Sequence, residues 1–387
     1  MHFISKLPDV GTTIFSVMSR RAIEEKALDI GQGYPDYAID SRLGNQLVEA
    51  VAADRNQYAP MEGVMALREQ IAYKLHITYG QSFDPSHEIT ITCGATEAIY
   101  DVIQAVIGPG DEAIIFDPAY DSYEPAIRLT GGVCRHIRLM PPKFCFDWDE
   151  VRKTLNDRTR LIIINNPQNP SCSVASSADL DHLAALIRDR PITVLSDEVY
   201  EHVVYDGRQH ASVLAHTELR ERSFAVFSFG KTLHATGWRI GYSVAPTLLT
   251  RELRRIHQFN SFSIVTPVQY AIAAYLEKFP DAWTGLSSFF QRKRDLLCEY
   301  LRGSGFEPIA SAGTYFQLCD YSALSKIGDH EFADRLMREA KIATIPLSPF
   351  YAEAPPMTLL RLCIAKRDET LQEAANRLRS FAERALP

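Results

Sequence analysis

Three side chains set close together could carry chemistry in this chain: the hydroxyl of Ser228, the amine of Lys231 three residues later, and the guanidinium of Arg239 eight residues after that. They follow the apolar run Phe224 to Phe227, which predicts a short buried strand. A lysine just beyond such a strand stands at the ligand-binding edge of a sheet. A hydroxyl and a guanidinium beside it can grip a phosphate. An amine next to a phosphate clamp suits pyridoxal phosphate, which bonds to a protein lysine as a Schiff base and keeps an acidic partner on its pyridine nitrogen. Taken alone, the stretch is also what a solvated surface lysine looks like.

Other groups fit the same chemistry without deciding it. Thr90 to Cys93 reads as a strand, and Gly94-Ala95-Thr96 then opens a helix with Ile99, Val102, Ile103, Val106 and Ile107 apolar. Free backbone donors at that turn, with the Thr96 hydroxyl, suit a phosphate, but a threonine capping an ordinary helix reads the same way. Tyr120, Asn169, Asp197 and Tyr200 all follow predicted strands, so they would meet in one crevice. Asp197 could equally cap a helix and Tyr200 lie in an apolar core. Adjacent side chains diverge, so only one of Asp197 and Glu198 enters a site. Arg361 stands inside the strand-like run Leu359 to Ile364. If buried it needs an anion, either an internal Asp or Glu or a ligand. Gly31-Gln32-Gly33 lacks a third glycine and meets Pro35, which argues against a dinucleotide fingerprint and for a backbone turn near a ligand.

The elements that must position these residues alternate. Strand-like runs at Ala113 to Phe116, Val133 to Leu139, Leu161 to Ile164, Ile192 to Leu195 and Phe224 to Phe227 are interleaved with helical patterns such as Asp179 to Ile187. That predicts an α/β fold with a mainly parallel sheet covered on both faces. A chain of 387 residues should form two domains. We expect residues 1–40 as an arm that also joins a small domain, 41–275 as the large domain, and 276–387 as a smaller α+β domain. A long helix after Pro267 should bridge the two, with strands at Tyr315 to Leu318 and Leu359 to Ile364 and a last helix from Asp368. A net charge of -7 gives no basic footprint for nucleic acid or membrane. Seven scattered cysteines without a CxxC pair argue against disulfides and zinc and fit a reducing cytoplasm. Neither a signal peptide nor a membrane span is expected.

Taken in order, Gly31-Gln32-Gly33, Asn56-Gln57-Tyr58-Ala59-Pro60, Gly94-Ala95-Thr96, Asn166-Pro167-Gln168-Asn169-Pro170, Ser196-Asp197-Glu198-Val199-Tyr200, Ser228-Phe229-Gly230-Lys231 and Arg361 resemble the class I/II, fold-type I, pyridoxal-phosphate-dependent aminotransferases over nearly the whole chain. Gln57 to Met61 and Thr236 to Tyr242 look like the bacterial methionine aminotransferase branch, with the kynurenine aminotransferase/glutamine transaminase K branch adjacent. The resemblance implies Lys231 as the Schiff-base lysine and Asp197 as the pyridinium partner, with Asn169 and Tyr200 donating to the ring oxygen and Tyr120 stacking on the ring. It implies Ala95, Thr96, Ser228 and Arg239 around the phosphate, with Tyr58 reaching it from the partner subunit of a homodimer. Arg361, Asn169 and the Gly33 backbone would bind the substrate carboxylate, and the reaction would run from an amino-acid donor to a 2-oxo-acid acceptor without a metal.

Gln168 departs from a frequent histidine, Ser171-Cys172 from Thr-Gly, and Leu233 and Ala235 from bulkier residues. A cis bond is expected at Asn169-Pro170, where a tight strand exit must turn Asn169 inward. No second arginine for a distal carboxylate is evident. The side-chain pocket is therefore expected to be apolar, drawing on Phe15, Tyr34, Tyr58 and the Phe259 to Phe262 region. Rival readings are a β-C-S lyase on the same fold and a pyridoxal-phosphate-binding regulator without turnover.

Overall fold

Apolar runs form the buried strands of a seven-stranded sheet in the computed structural model, which describes residues 4–385. In chain order they are β1 (Ile89–Thr92), β2 (Glu112–Asp117), β3 (Val133–Arg138), β4 (Thr159–Asn165), β5 (Thr193–Asp197), β6 (Ser223–Ser228) and β7 (Gly241–Val244). The order across the sheet is β1-β7-β6-β5-β4-β2-β3; β7 is antiparallel to both neighbours and the other pairs are parallel. Six strands coincide with predicted runs. The seventh, β7, has only Gly241-Tyr242-Ser243-Val244 to announce it, too short and too mixed for a periodic signal.

Helices cover both faces, which is why β2 and β6 are buried along their whole length. Alternate residues feed opposite cores. Ala113, Ile115, Leu161 and Ile163 pack with Ile99, Val102 and Ile103 of the helix Gly94–Val106. Ile114, Ile162, Ile164 and Val194 share the other core with Leu180, Leu183 and Ile187 of the helix Ser177–Ile187. The register sets Asn165 beside Asp197, Asp197 beside Val226, and both Thr92 and Ser228 opposite Gly241. The chemically interesting strand ends therefore meet at one edge of the sheet.

The N-terminal stretch differs from its expectation: it carries a helix, Ile14–Glu24, that buries Met18 and Ala22. Leu28–Asp29 then pairs with Ile342–Ala343, tying the arm to the C-terminal part. There Phe316–Asp320 and Leu359–Cys363 form the centre of a four-stranded antiparallel sheet, and the last helix is Asp368–Ala385. The long bridging helix is instead two helices, Thr266–Lys278 and Leu286–Leu301, separated where Pro280 cannot continue a helix.

The turn after β5 is fixed from behind by buried charge. Glu201 accepts from Lys74 Nζ at 2.5 Å and from the Tyr79 hydroxyl at 2.6 Å, and Lys74 also donates to the Tyr242 hydroxyl on β7 at 3.2 Å. Removing one partner of a buried pair strands the other, at a cost of about 3–5 kcal/mol. Lys74→Met is expected to lose that much unfolding free energy in urea at an unchanged m-value. A loss below about 1 kcal/mol would mean that the pair contributes no more than a surface ion pair.

Candidate active site

At the end of β6 the chain turns directly into the short helix Phe229–Thr232, which delivers Lys231 to the sheet edge. Burial, assisted by the positive charges of Arg239 and Arg361, pushes the Lys231 amine down to about 8. Its Nζ donates to the Tyr315 hydroxyl at 2.8 Å, and that hydroxyl donates to the Gly33 carbonyl at 2.5 Å. Tyr315 is a neighbour that the sequence reading placed on a strand but not at the site, since nothing in its spacing links it to Lys231.

One end of the cavity brings a helix N-terminus and a guanidinium together. Ala95 and Thr96 lie in the first turn of the helix Gly94–Val106, and Ser228 and Arg239 face the same space. Gly94 has φ +72°, and a Cβ there would come within 2.8 Å of Arg239 Nη2. A Cβ on Gly241 would lie 2.6 Å from the Ala95 nitrogen, so both glycines let the helix terminus and the guanidinium approach closely. The Arg239 side chain donates only to the Thr236 carbonyl, at 3.2 Å, among the described residues.

The opposite end holds a buried carboxyl. Asp197 ends β5, and burial pushes its carboxyl up to about 6 even though the Tyr123 hydroxyl donates to it at 2.6 Å. Asp197 caps no helix; it accepts weakly from Val199 N at 3.4 Å within a turn. Glu198 faces away, accepting from the Ser196 hydroxyl at 2.8 Å and from Val213 N at 3.1 Å. Tyr200 is buried in the cavity wall, edge-on to Tyr315 at 5.0 Å.

Arg361 lacks the close carboxylate that an internal ion pair asks for among the described residues. It is 1% exposed, yet no carboxylate lies within 4.0 Å of it among the described residues, and its Nε has no partner. Its remaining donors go to Asn169 Oδ1 at 2.6 Å and to the Gly31 carbonyl at 2.9 Å, and its face lies 3.8 Å from the Phe316 ring centre. Asn169 is held by its own N–H, which donates to Asn165 Oδ1 at 2.7 Å, and the Asn169-Pro170 bond is cis. Where Ser171-Cys172 departs from Thr-Gly, Cys172 takes the left-handed φ of +62° and Ser171 bonds the Gln168 side chain, so the turn closes without a glycine.

Ala95, Thr96, Tyr120, Asn169, Asp197, Tyr200, Ser228, Lys231 and Arg239 thus line one cavity. Arg361 joins it through Asn169, and Gly33 through Tyr315. Tyr58 does not: it is 84% exposed and packs edge-on against Phe262 at 5.6 Å, with Phe259 also exposed. Tyr34 turns to Lys366, whose Nζ sits 4.3 Å from its ring centre. Of the residues expected around the substrate side chain, Phe15 comes to Arg361, 5.0 Å from its guanidinium, and the sequence reading missed Phe316 and Phe350 on the same wall.

The sequence profile of aminotransferase class I and II matches residues 26–378. The chain belongs to this family. It is 49% identical to methionine aminotransferase of Escherichia coli, over 97% of this chain and 98% of that protein. It is 30% identical to mouse kynurenine--oxoglutarate transaminase 1, over 94% of each chain. A crystal structure from Escherichia coli, described as identifying a methionine aminotransferase function, superposes with a TM-score of 0.96 at 48% identity, covering 98% of this chain and all of that one. Aminotransferases of this family imply pyridoxal phosphate, and the residues present suit it. The guanidinium of Arg239, which has no ion-pair partner among the described residues, and the helix terminus suit a phosphate, the buried Asp197 carboxylate suits a protonated ring nitrogen, and the Lys231 amine lies between them.

Proposed function

We propose that this aminotransferase moves the amino group of methionine, or of another large uncharged or aromatic amino acid, to a 2-oxo acid by a ping-pong cycle on pyridoxal phosphate carried by Lys231. The observation that carries the reading is Arg361, a buried cation with no carboxylate within 4.0 Å among the described residues, set among the rings of Phe15, Phe316 and Phe350. Such a site asks for one carboxylate attached to an apolar side chain. The similarity to a methionine and a kynurenine aminotransferase supports the same donor class.

Pyridoxal phosphate, when bound, supplies an aldehyde that condenses with amines and a ring that takes up the electron pair left at Cα. The chain supplies the rest. Arg361, with Asn169 and the Gly33 backbone, would grip the donor carboxylate and fix the direction of its Cα–H bond. Lys231 Nζ, deprotonated in a useful fraction near pH 8, would take the Cα proton and carry it onward. Asp197 would hold a proton on the ring nitrogen, steadied by Tyr123. Tyr200 and Asn169 would donate to the ring oxygen, Tyr120 would stack on the ring, and Ala95, Thr96, Ser228 and Arg239 would hold the phosphate. The exposed Tyr58, Phe259 and Phe262 support a homodimer in which Tyr58 reaches the partner's phosphate. The absence of a helix long and apolar enough to cross a membrane among the described residues, and seven free cysteines, are compatible with a cytoplasmic enzyme.

Steady-state kinetics with one saturating oxo acid test the donor class. An aspartate carboxylate would be left unpaired against the Phe15, Phe316 and Phe350 wall, so kcat/KM for methionine is expected to exceed that for aspartate by at least about a hundredfold, or about 2.7 kcal/mol. Equal turnover of aspartate would refute the pocket. Pyruvate and ammonia formed from a β-thio amino acid without an acceptor would point to lyase chemistry instead.

A further inference from the structure

The hydroxyl of Tyr315 has no task in the mechanism above, yet its hydrogen bonds constrain the residue at its centre. The ring is buried, edge-on to Tyr200 and Phe316 at 5.0 Å each and tilted against Phe290 at 5.6 Å. Burial holds the phenol well above its ordinary pKa, so it keeps its proton. A phenol has one proton to give, and a carbonyl can only accept. The Gly33 carbonyl at 2.5 Å therefore takes that proton, and the oxygen turns a lone pair toward Lys231 at 2.8 Å. The opposite arrangement would press two acceptors together with no proton between them, which buried polar groups avoid.

Lys231 must consequently be the donor to Tyr315. A neutral amine held by one of its N–H bonds keeps its own lone pair uncommitted. The Gly33 carbonyl is itself fixed, because the Asp29 carboxylate accepts from the N–H groups of Gly31 and Gln32 at 2.9 and 3.0 Å, and Arg361 donates to the Gly31 carbonyl at 2.9 Å.

We infer that Tyr315 is a positioning residue: polarised in one sense by Gly33, it tethers the Lys231 amine through an N–H and leaves the lone pair free for the cofactor aldehyde and for the Cα proton. The inference rests on Lys231 being the cofactor-bearing lysine. It also ties the turn beside Arg361 to the lysine, so the carboxylate site and the proton-transferring amine share one rigid support.

Tyr315→Phe tests it, since the ring and its packing survive. The cofactor-free chain is mixed with pyridoxal phosphate, uptake is followed by absorbance, and the bond is fixed with borohydride and mapped. The second-order uptake rate at Lys231 is expected to fall at least about tenfold, because a misaligned nucleophile forfeits its orientation advantage. Affinity for pyridoxamine phosphate, which needs no bond to the lysine, should stay within about twofold, and kcat for methionine should fall at least about tenfold with KM within about threefold. An unchanged uptake rate overturns the proposal. So does a loss shared equally by pyridoxamine phosphate affinity, or a rise in KM alone, either of which would make Tyr315 a prop for the pocket or for the Gly33 turn. Labelling of a different lysine in the parent chain would overturn the cofactor reading itself, and the variant is not needed to see it.

Discussion

Lys231→Ala is expected to fold normally, to take up no borohydride-fixed cofactor, and to lose about four orders of magnitude in kcat, the upper range for a positioned proton-transfer group. The size follows from the site: among the described residues Lys231 is the only amine lining the cavity, and the hydroxyls and amides beside it are far weaker bases. Folding should not suffer, because the ordinary amine pKa of 10.5 has been pushed to about 8 by burial, and removing an ammonium that the fold disfavours relieves a charge beside Arg239 and Arg361. The sign can be read directly. A lysine whose folded pKa lies below its unfolded value makes the parent chain gain stability as pH rises from about 8 toward 10.5, and the variant should lack that gain. Thermal melts of both cofactor-free chains across that window, with peptide mapping after borohydride, check the two halves separately. Turnover within tenfold of the parent would refute the role.

What the sequence makes legible here is whatever repeats along it. Lys231, Asp197, Asn169 and Thr96 each follow an apolar run, so strand ends could be read and their meeting at one sheet edge inferred. Contacts that cross between distant segments carry no such periodic mark. Tyr315 meets Lys231 across 84 residues and Gly33 across 282. Phe350 meets Phe15 at 5.4 Å, a contact between the N-terminal arm and the C-terminal part, which Leu28–Asp29 and Ile342–Ala343 also join. Burial is equally invisible when an arginine could find its anion inside or outside the chain, and the sequence does not say that Arg361 has no carboxylate within 4.0 Å among the described residues. Phe259 and Phe262 show a different limit: within one chain both are exposed, so a place in a pocket wall would need a partner subunit to cover them. The helix Ile14–Glu24 escaped because its apolar face is narrow, with Arg20, Arg21 and Ser19 interrupting it.

Asp197→Asn should move stability and activity in opposite directions. In the cofactor-free chain the Asp197 carboxyl is buried at the end of β5, and burial has raised it from the ordinary 3.8 to about 6; that difference corresponds to about 3 kcal/mol of disfavoured charge. A folded pKa above the unfolded one means that the folded state binds more protons between about pH 4 and 6, so stability falls as pH rises through that window and stays low at neutrality. Asparagine carries no charge, keeps an oxygen for the Tyr123 hydroxyl at 2.6 Å, and removes the penalty. Cofactor-free Asp197→Asn is therefore expected to unfold at a higher temperature than the parent at pH 7–8 and at a similar one near pH 4. With pyridoxal phosphate bound the carboxylate becomes an asset, since a protonated ring nitrogen facing a neutral amide is a buried cation without its partner. Breaking such a pair costs about 3–5 kcal/mol, which translates into a kcat lower by roughly two to three and a half orders of magnitude. Asp197→Glu, which restores the charge at a shifted position, should recover part of that loss, whereas a purely structural residue would favour asparagine over glutamate. Calorimetry of the cofactor-free forms at pH 4 and 7.5, set beside single-turnover rates with methionine, reads both directions; an asparagine variant less stable than the parent at pH 7.5, or one that turns over within tenfold of it, would refute the assignment of Asp197 as the ring-nitrogen partner.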